Sequence, residues 1–133
     1  LDWTVKENVK ELASFDPVLM SRLLSNLVQN AVRYANTRVL VSLSHTQQGH
    51  QICIEDDGLG IPESDRERLF EAFATRNSSR NKSTEGFGLG LAIVKRIVQA
   101  HKGVVEIHDS PLGGAQFCAR WPRNLTIEKE NAA

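Results

Sequence analysis

The sequence predicts an α/β fold, a two-layer sandwich in which helices cover one face of a mixed sheet. Apolar residues recur at helical spacing in two segments, and they alternate in strand fashion in two pairs of segments. The order along the chain is helix, two strands, short helix, loop, helix, two strands, an order that is typical of a sheet packed against helices. The length of 133 residues fits a single domain. We expect residues 1–123 to form it and residues 124–133 to fray.

The first half of the chain is expected to hold the longest helix and one strand hairpin. Asp16 is the expected N-cap, and Pro17 takes the first position of a helix that runs to about Ala35. A weaker strand pattern precedes that helix, and two alternating segments follow it with a glycine in the connection between them. The strands expected here are 3–8, 37–44 and 51–56.

The second half of the chain is expected to repeat the helix and hairpin order after a polar break. Residues 63–73 begin acidic and end apolar, as a short helix does, and residues 74–85 are too polar to pack in a core. A second amphipathic helix is expected over 91–101, with Gly103 placed to end it. The strands 104–109 and 115–121 should then pair around a turn.

Composition excludes several classes of function. Sixteen basic and sixteen acidic residues cancel, so no overall charge favours nucleic acid or an anionic membrane. No apolar run reaches the roughly 20 residues that a bilayer requires, and the first residues lack the apolar core of a signal peptide. We therefore expect a soluble domain.

The cysteines and histidines carry no recognisable ligand spacing. Cys53 and Cys118 are expected to be small buried hydrophobic residues, and so low a cysteine count fits a reducing compartment. The four histidines are expected at the surface or at strand ends. They are His45, His50, His101 and His108.

A polar stripe crosses the first helix. At about 100° per residue, Asn26, Asn30 and Arg33 fall within roughly 60° of one another, beside the apolar face but not within it. These side chains can converge on a ligand. They could equally be rim residues of an ordinary amphipathic helix.

Two glycine-rich turns and a basic loop are candidates for a nucleotide site. DDGLG, residues 56–60, ends a strand and places Asp56 as an acceptor for an amino group such as the edge of adenine, although a plain Asp-Gly turn is the alternative. GFGLG, residues 86–90, precedes a helix whose amides favour an anion, although glycines also serve turns and close packing. Arg80, Lys82 and Arg33 could surround phosphates or be solvated surface charges.

Four motifs in order give the chain a family resemblance. NLVQNAVRYA resembles the N box, DDGLGIP the G1 box, LFEAF the F box and GFGLGLAIVK the G2 box of the catalytic, ATP-binding domain of sensor histidine kinases. That family shares the Bergerat ATP-binding fold with gyrase B, MutL and a heat-shock chaperone. The resemblance spans most of the chain, and it implies ATP and Mg²⁺ as ligands and transfer of the γ-phosphoryl group to a histidine.

The resemblance also implies roles for single residues. Asn30 would bind the Mg²⁺ that bridges the ATP phosphates, Asp56 would accept the adenine amino hydrogen, and residues 74–85 would be the ATP lid. The catalytic set implied is Asn26, Asn30 and Arg33. The ATP-binding set implied is Asn30, Arg33, Tyr34, Asp56, Gly58, Gly60, Ile61, Phe70, Phe73, Arg80, Lys82, Gly86, Phe87, Gly88, Leu89, Gly90 and Leu91.

The sequence departs from the family pattern at a few positions. Hydrolysing members place a glutamate one turn before the magnesium asparagine, whereas this chain has Asn26, and an amide cannot act as a general base. We therefore expect slow intrinsic ATP hydrolysis. Phe87 stands where Thr or Ser is common, and Ala74 and Thr75 replace a frequent Tyr-Arg pair, which weakens the expectations for lid closure and affinity.

The expected partners lie outside this chain. The phosphoacceptor histidine and its dimerisation helices are not in the sequence, so we expect a monomeric catalytic piece that acts on them, with a response regulator downstream. The resemblance implies a cytoplasmic domain of a protein held in the bacterial inner membrane by upstream segments. Two alternatives remain, a nucleotide-dependent binding module without transfer and an anti-sigma-type serine kinase of the same fold.

Overall fold

A computed structural model describes residues 2–8, 15–47, 49–74 and 89–122 of the chain. The expected lid beyond Ala74 and the expected frayed tail lie outside these ranges. Among the described residues, no helix combines the length and the apolar character needed to cross a bilayer. The strands and helices are β1 (Asp2–Asn8), α1 (Pro17–Tyr34), β2 (Arg38–Thr46), β3 (Gly49–Asp56), α2 (Gly90–Ala100), β4 (Val104–Asp109) and β5 (Ala115–Trp121).

The five strands form one mixed sheet in the order β1-β2-β3-β5-β4. β1 pairs with β2 in parallel, and all other neighbours are antiparallel. β5, the last of these strands in the chain, therefore lies between β3 and β4. The expected mixed sheet is confirmed.

The core lies between one face of the sheet and the two helices. Alternate residues of the central strands are buried there, as Ile52 and Ile54 are in β3, because side chains of a strand point to opposite faces in turn. Leu23 of α1 and Val94 of α2 are fully buried against them. This packing confirms the expected two-layer sandwich.

The start of α1 is tied to the end of α2 by a buried histidine. Oδ1 of Asp16 accepts the N–H groups of Val18 and Leu19, which confirms the expected N-cap. The N–H of Asp16 itself donates to Nε2 of His101 at 3.0 Å, and Nδ1 of His101 lies 2.8 Å from the carbonyl oxygen of Ile97. This pattern requires a neutral ring protonated at Nδ1. The expectation that His101 lies at the surface or at a strand end is wrong, because the ring joins two helix ends inside the protein and is 0% exposed.

The residue whose left-handed backbone ends α2 differs from the glycine that the sequence indicated. Lys102 has the left-handed backbone, with φ of 58°, and its N–H bonds to Gln99 while that of Gly103 bonds to Val98. These two bonds form a Schellman motif. Gly103 is required for another reason, because a Cβ there would lie 1.9 Å from the carbonyl oxygen of Arg120.

The prediction of one continuous short helix over 63–73 is wrong. Two separate 3-10 turns, Glu63–Asp65 and Arg68–Phe70, occupy this stretch. Adjacent Leu69 and Phe70 both pack against the core, and Phe73 adopts a left-handed backbone with φ of 68°, which a continuing α-helix does not allow.

Cys53 and Cys118 are buried as expected, but they form a disulfide. The two residues face each other in the register of β3 and β5, with Cα atoms 4.1 Å apart, as in the closely spaced pairs of an antiparallel ladder. The expectation of two separate hydrophobic residues is therefore wrong, because strand pairing joins positions that are 65 residues apart. With the two cysteines paired, the cysteine content of the chain no longer favours a reducing compartment.

Candidate nucleotide-binding site

The end of β3 carries a buried carboxylate. Asp56 is 1% exposed, and its Oδ1 accepts the N–H of Gly58 at 2.9 Å and that of Ala115 at 3.4 Å. The turn then passes close to the end of α1, because a Cβ on Gly58 would lie 2.1 Å from the carbonyl oxygen of Tyr34. Asp56, Gly58 and Tyr34 are therefore brought together, although they lie on different elements.

A cavity of about 310 Å³ opens beside this turn. It is lined by Tyr34, Leu59, Gly60, Ile61, Pro62, Asp65, Arg68 and Leu69. Tyr34, Gly60 and Ile61 were expected at a nucleotide site from the sequence. Leu59, which was not, is 96% exposed and presents an apolar side chain to solvent.

The polar stripe of α1 meets the first residue of α2. A Cβ on Gly90 would lie 3.3 Å from Oδ1 of Asn26, so the two helices approach closely there. Asn30 is half-buried and Arg33 is exposed. The first turn of an eleven-residue helix has N–H groups without a partner in the helix, and these favour an anion.

The remaining expected site residues are more scattered. Phe70 packs edge-on against Phe117, whereas Phe73 is 73% exposed. Leu89 is exposed at the start of α2, and Leu91 is buried in the core. Outside the described residues lie Arg80, Lys82, Gly86, Phe87 and Gly88.

Asp57 has a structural role that the sequence analysis missed. Its carboxylate accepts the backbone N–H groups of Asn36, Thr37 and Arg38 at 2.8–3.1 Å, and the hydroxyl of Thr37 at 2.7 Å. The hydroxyl and amide of Thr37, followed by the other amides, hold the pKa of Asp57 well below its usual range. Asp57 thereby ties the connection after α1 to the end of β3. The second acidic residue of the DDG motif was the feature of the sequence that could have indicated this role.

We expect the stability of the domain to depend on Asp57 in acid. A carboxyl whose pKa is depressed on folding stabilises the folded state above its unfolded pKa, and this contribution is lost as the pH falls below about 4. In urea unfolding, the parent should therefore lose more stability between about pH 7 and pH 3 than Asp57→Asn does. Asp109→Asn, at an exposed carboxylate paired with Arg66, serves as the control. Equal losses in the parent and in Asp57→Asn would contradict the assignment.

The expected hairpin of β4 and β5 is confirmed, but its contact with the candidate site was missed. A Cβ on Gly114 would lie 2.2 Å from Oδ1 of Asp56 and 2.6 Å from the nitrogen of Gly58, so this hairpin packs directly on the turn after β3. The Gly-Gly pair in SPLGG was a visible signal for close approach. Nothing in the sequence indicated what it approaches.

The sheet, its helical layer and the carboxylate at the end of β3 define an α/β sandwich with a candidate ligand site beside that carboxylate. A profile described as "Histidine kinase-, DNA gyrase B-, and HSP90-like ATPase" matches residues 15–125. The chain belongs to that family. It is an ATPase domain of the histidine kinase type, and the resemblance inferred from the four motifs is confirmed.

Named relatives and solved structures agree with this assignment. The chain is 46% identical to sensor protein RstB of Escherichia coli over 110 residues, which cover 83% of this chain and 25% of that protein. It is 40% identical to sensor histidine kinase CpxA of Escherichia coli, over 77% of this chain and 22% of CpxA. The ATP-binding domain of PrrB from Mycobacterium tuberculosis superposes with a TM-score of 0.75 at 30% identity, covering 94% of this chain and 82% of that one. The chain thus spans about a quarter of the length of these curated relatives.

Proposed function

We propose that this domain binds ATP with Mg²⁺ and donates the γ-phosphoryl group to a histidine of a separate phosphoacceptor domain. The observation that carries the proposal is the buried carboxylate of Asp56, fixed at the end of β3 beside a cavity. The proposed domain is residues 1–123, with residues 74–85 as its lid.

The base of the nucleotide would bind at Asp56. A carboxylate accepts hydrogen bonds only, so it suits the amino group of adenine. Tyr34 and Ile61 line the cavity beside this turn, and their side chains would offer an apolar surface to a flat base.

The phosphates would lie along α1, between the polar stripe and the start of α2. Arg33 and the N-terminal amides of α2 suit their negative charge. Asn30 offers an amide oxygen, and Mg²⁺ is commonly held by one or two protein oxygens together with substrate phosphates, so the residue fits a magnesium ligand. When bound, Mg²⁺ would neutralise charge on the phosphate oxygens.

The reaction would be an in-line phosphoryl transfer. An imidazole nitrogen of the acceptor histidine forms a bond to the γ-phosphorus, the bond from phosphorus to the β,γ-bridging oxygen breaks, and ADP leaves with that electron pair. This chain would contribute positioning and charge, the two terms that dominate such transfers.

The acceptor histidine would come from outside this chain. His101 is enclosed between two helix ends, and His45 of β2 pairs with His50 of β3 at the opposite end of these strands from Asp56. His108 lies on the edge strand β4, which β5 separates from β3. Asn26 faces the start of α2 with an amide, which cannot take a proton from water. We therefore propose slow ATP hydrolysis in the absence of the acceptor.

The whole protein would be a two-component sensor kinase. The named relatives are sensor proteins more than three times as long as this chain. We propose that the same protein also carries the dimerisation and phosphoacceptor helices, that a response regulator receives the phosphoryl group, and that upstream segments hold the protein in the membrane.

Titration calorimetry with a non-hydrolysable ATP analogue, with and without Mg²⁺, tests the binding step. Binding should require Mg²⁺ for full affinity and should weaken roughly 10- to 100-fold in Asp56→Asn, because a hydrogen bond to a buried charged group is lost. Asn30→Ala should remove most of the dependence on Mg²⁺. Gln29→Ala, on the same helix, and Glu106→Gln, on β4, are matched controls that should bind as the parent does.

Two outcomes would count against the proposal. Failure of the parent to bind would leave a protein-interaction domain on this fold. Binding without phosphoryl transfer to an added phosphoacceptor domain would favour a nucleotide-dependent binding module.

A further inference from the structure

The hairpin after β4 supplies part of the support for Asp56. The N–H of Ala115, which begins β5, donates to Oδ1 of Asp56. Gly114 lies so close to that carboxylate that it leaves no room for a side chain. A shift of this hairpin would therefore move a donor of Asp56 and open space beside it.

Ser110 holds the hairpin together from within. Its N–H bonds to the carbonyl oxygen of Gly114 at 2.8 Å, and its own carbonyl accepts the N–H of Gly113 at 2.9 Å. Its hydroxyl accepts the N–H of Leu112 at 3.0 Å. The conformation of the hairpin thus depends on one residue.

A buried carboxylate anchors Ser110 to β3. The hydroxyl of Ser110 donates to Oε1 of Glu55 at 2.7 Å, and the two residues are 7% and 6% exposed. Glu55 directly precedes Asp56, so its side chain points to the opposite face of the sheet. Glu55 and Asp56 therefore form hydrogen bonds to the same hairpin from opposite faces of β3.

Burial of Glu55 has no evident benefit for the sheet itself. Removing a carboxylate from water is unfavourable, and an apolar residue of similar size at such a position is often neutral or stabilising. The bond to Ser110 does fix the position of the hairpin. A role in positioning the hairpin explains why a buried carboxylate, and not an apolar residue, stands at this place in β3.

We propose that Glu55 and Ser110 are positioning residues that set the base selectivity of the nucleotide site. The inference rests on the proposed function. Their hydrogen bond holds the hairpin so that Ala115 fixes the carboxylate of Asp56 where it can receive an amino group. Adenine presents an amino donor at that edge, whereas hypoxanthine and guanine present a carbonyl oxygen, which a fixed carboxylate repels.

The test compares two nucleotides that differ in this one group. The affinity for a non-hydrolysable ATP analogue and for the matching inosine analogue is measured, and their ratio gives the selectivity. Ser110→Ala and Glu55→Met remove the bond and should each lower the ratio roughly 5- to 30-fold. The double variant should equal either single variant, because all three lack the same interaction.

Conservative variants and a distant serine provide the controls. Ser110→Thr keeps the hydroxyl and Glu55→Gln keeps an acceptor oxygen, so both should retain most of the selectivity. Ser44→Ala removes a half-buried hydroxyl at the far end of β2 and should leave the ratio unchanged. Thermal unfolding of every variant separates a change in stability from a change in selectivity.

Each result has a distinct meaning. A parent that binds neither analogue refutes the proposed function. Variants that unfold at lower temperature with the parent ratio would overturn this inference and leave the proposed function intact. A parent that binds both analogues equally would overturn this inference and also the placement of the adenine amino group at Asp56, while nucleotide binding itself would stand. If Ser110→Ala does not fold, the comparison of Glu55→Met with Glu55→Gln decides alone.

Discussion

Replacing Gly58 by alanine is expected to abolish nucleotide binding and to destabilise the fold. The new Cβ would lie 2.1 Å from the carbonyl oxygen of Tyr34 and 3.1 Å from Oδ1 of Asp56. The first of these atoms belongs to the backbone at the end of α1, so a side-chain rotation cannot relieve the overlap. Either α1 or the turn after β3 must move, and both carry residues of the candidate site. A displacement of about 1 Å at such a site can weaken function 100-fold.

Gly103→Ala is the matched control for this experiment. It places a Cβ 1.9 Å from the carbonyl oxygen of Arg120, a comparable overlap at the other end of the sheet. Both variants should lose about 1–3 kcal/mol of unfolding free energy in urea, the usual effect of overpacking. Only Gly58→Ala should lose nucleotide affinity, by at least roughly 100-fold as measured by calorimetry on folded protein. A folded Gly58→Ala that binds like the parent would refute the placement of the site.

Reduction of the disulfide between Cys53 and Cys118 is expected to lower stability by about 2–4 kcal/mol. The bond joins residues 65 positions apart, and it therefore restricts the unfolded chain over half of its length. It also links β3 to β5, the two strands that hold Asp56 and its donor Ala115. Loosening this pair should affect the site as well as the fold.

Urea unfolding with and without a dithiol reductant measures the effect. The parent should unfold at lower urea when reduced, whereas Cys53→Ala/Cys118→Ala should unfold at the same urea concentration in both conditions. Labelling of thiols under denaturing conditions would establish how much of the protein is bonded. Identical curves for the oxidised and reduced parent would contradict the prediction.

Local signals in the sequence were sufficient for most of the elements. Asp16 and Pro17 marked the start of α1, because capping and the fixed backbone of proline act within a single turn. Alternation located β2 to β5, since one face of each strand is buried. The interrupted stretch between Glu63 and Phe70 was misjudged because the packing of Leu69 and Phe70 overrides its helical composition.

Contacts between distant segments could not be predicted in the same way. Alternation reveals strands but not their neighbours, so the place of β5 beside β3 was unknown, and with it the pairing of Cys53 with Cys118. The same limit hid Glu55 and Ser110, which are 55 residues apart and meet because of that pairing. Asp56 was singled out because its motif is local and resembles that of a known family.

The insertion of β5 between β3 and β4 also sets when the molecule can first bind a ligand. During synthesis β3 emerges well before its second neighbour, since Cys118 follows Cys53 by 65 residues. Until that strand is made and paired, Asp56 lacks the N–H of Ala115, and non-local pairings of this kind form late in folding. Nucleotide would therefore stabilise the completed domain by mass action without assisting the nascent chain.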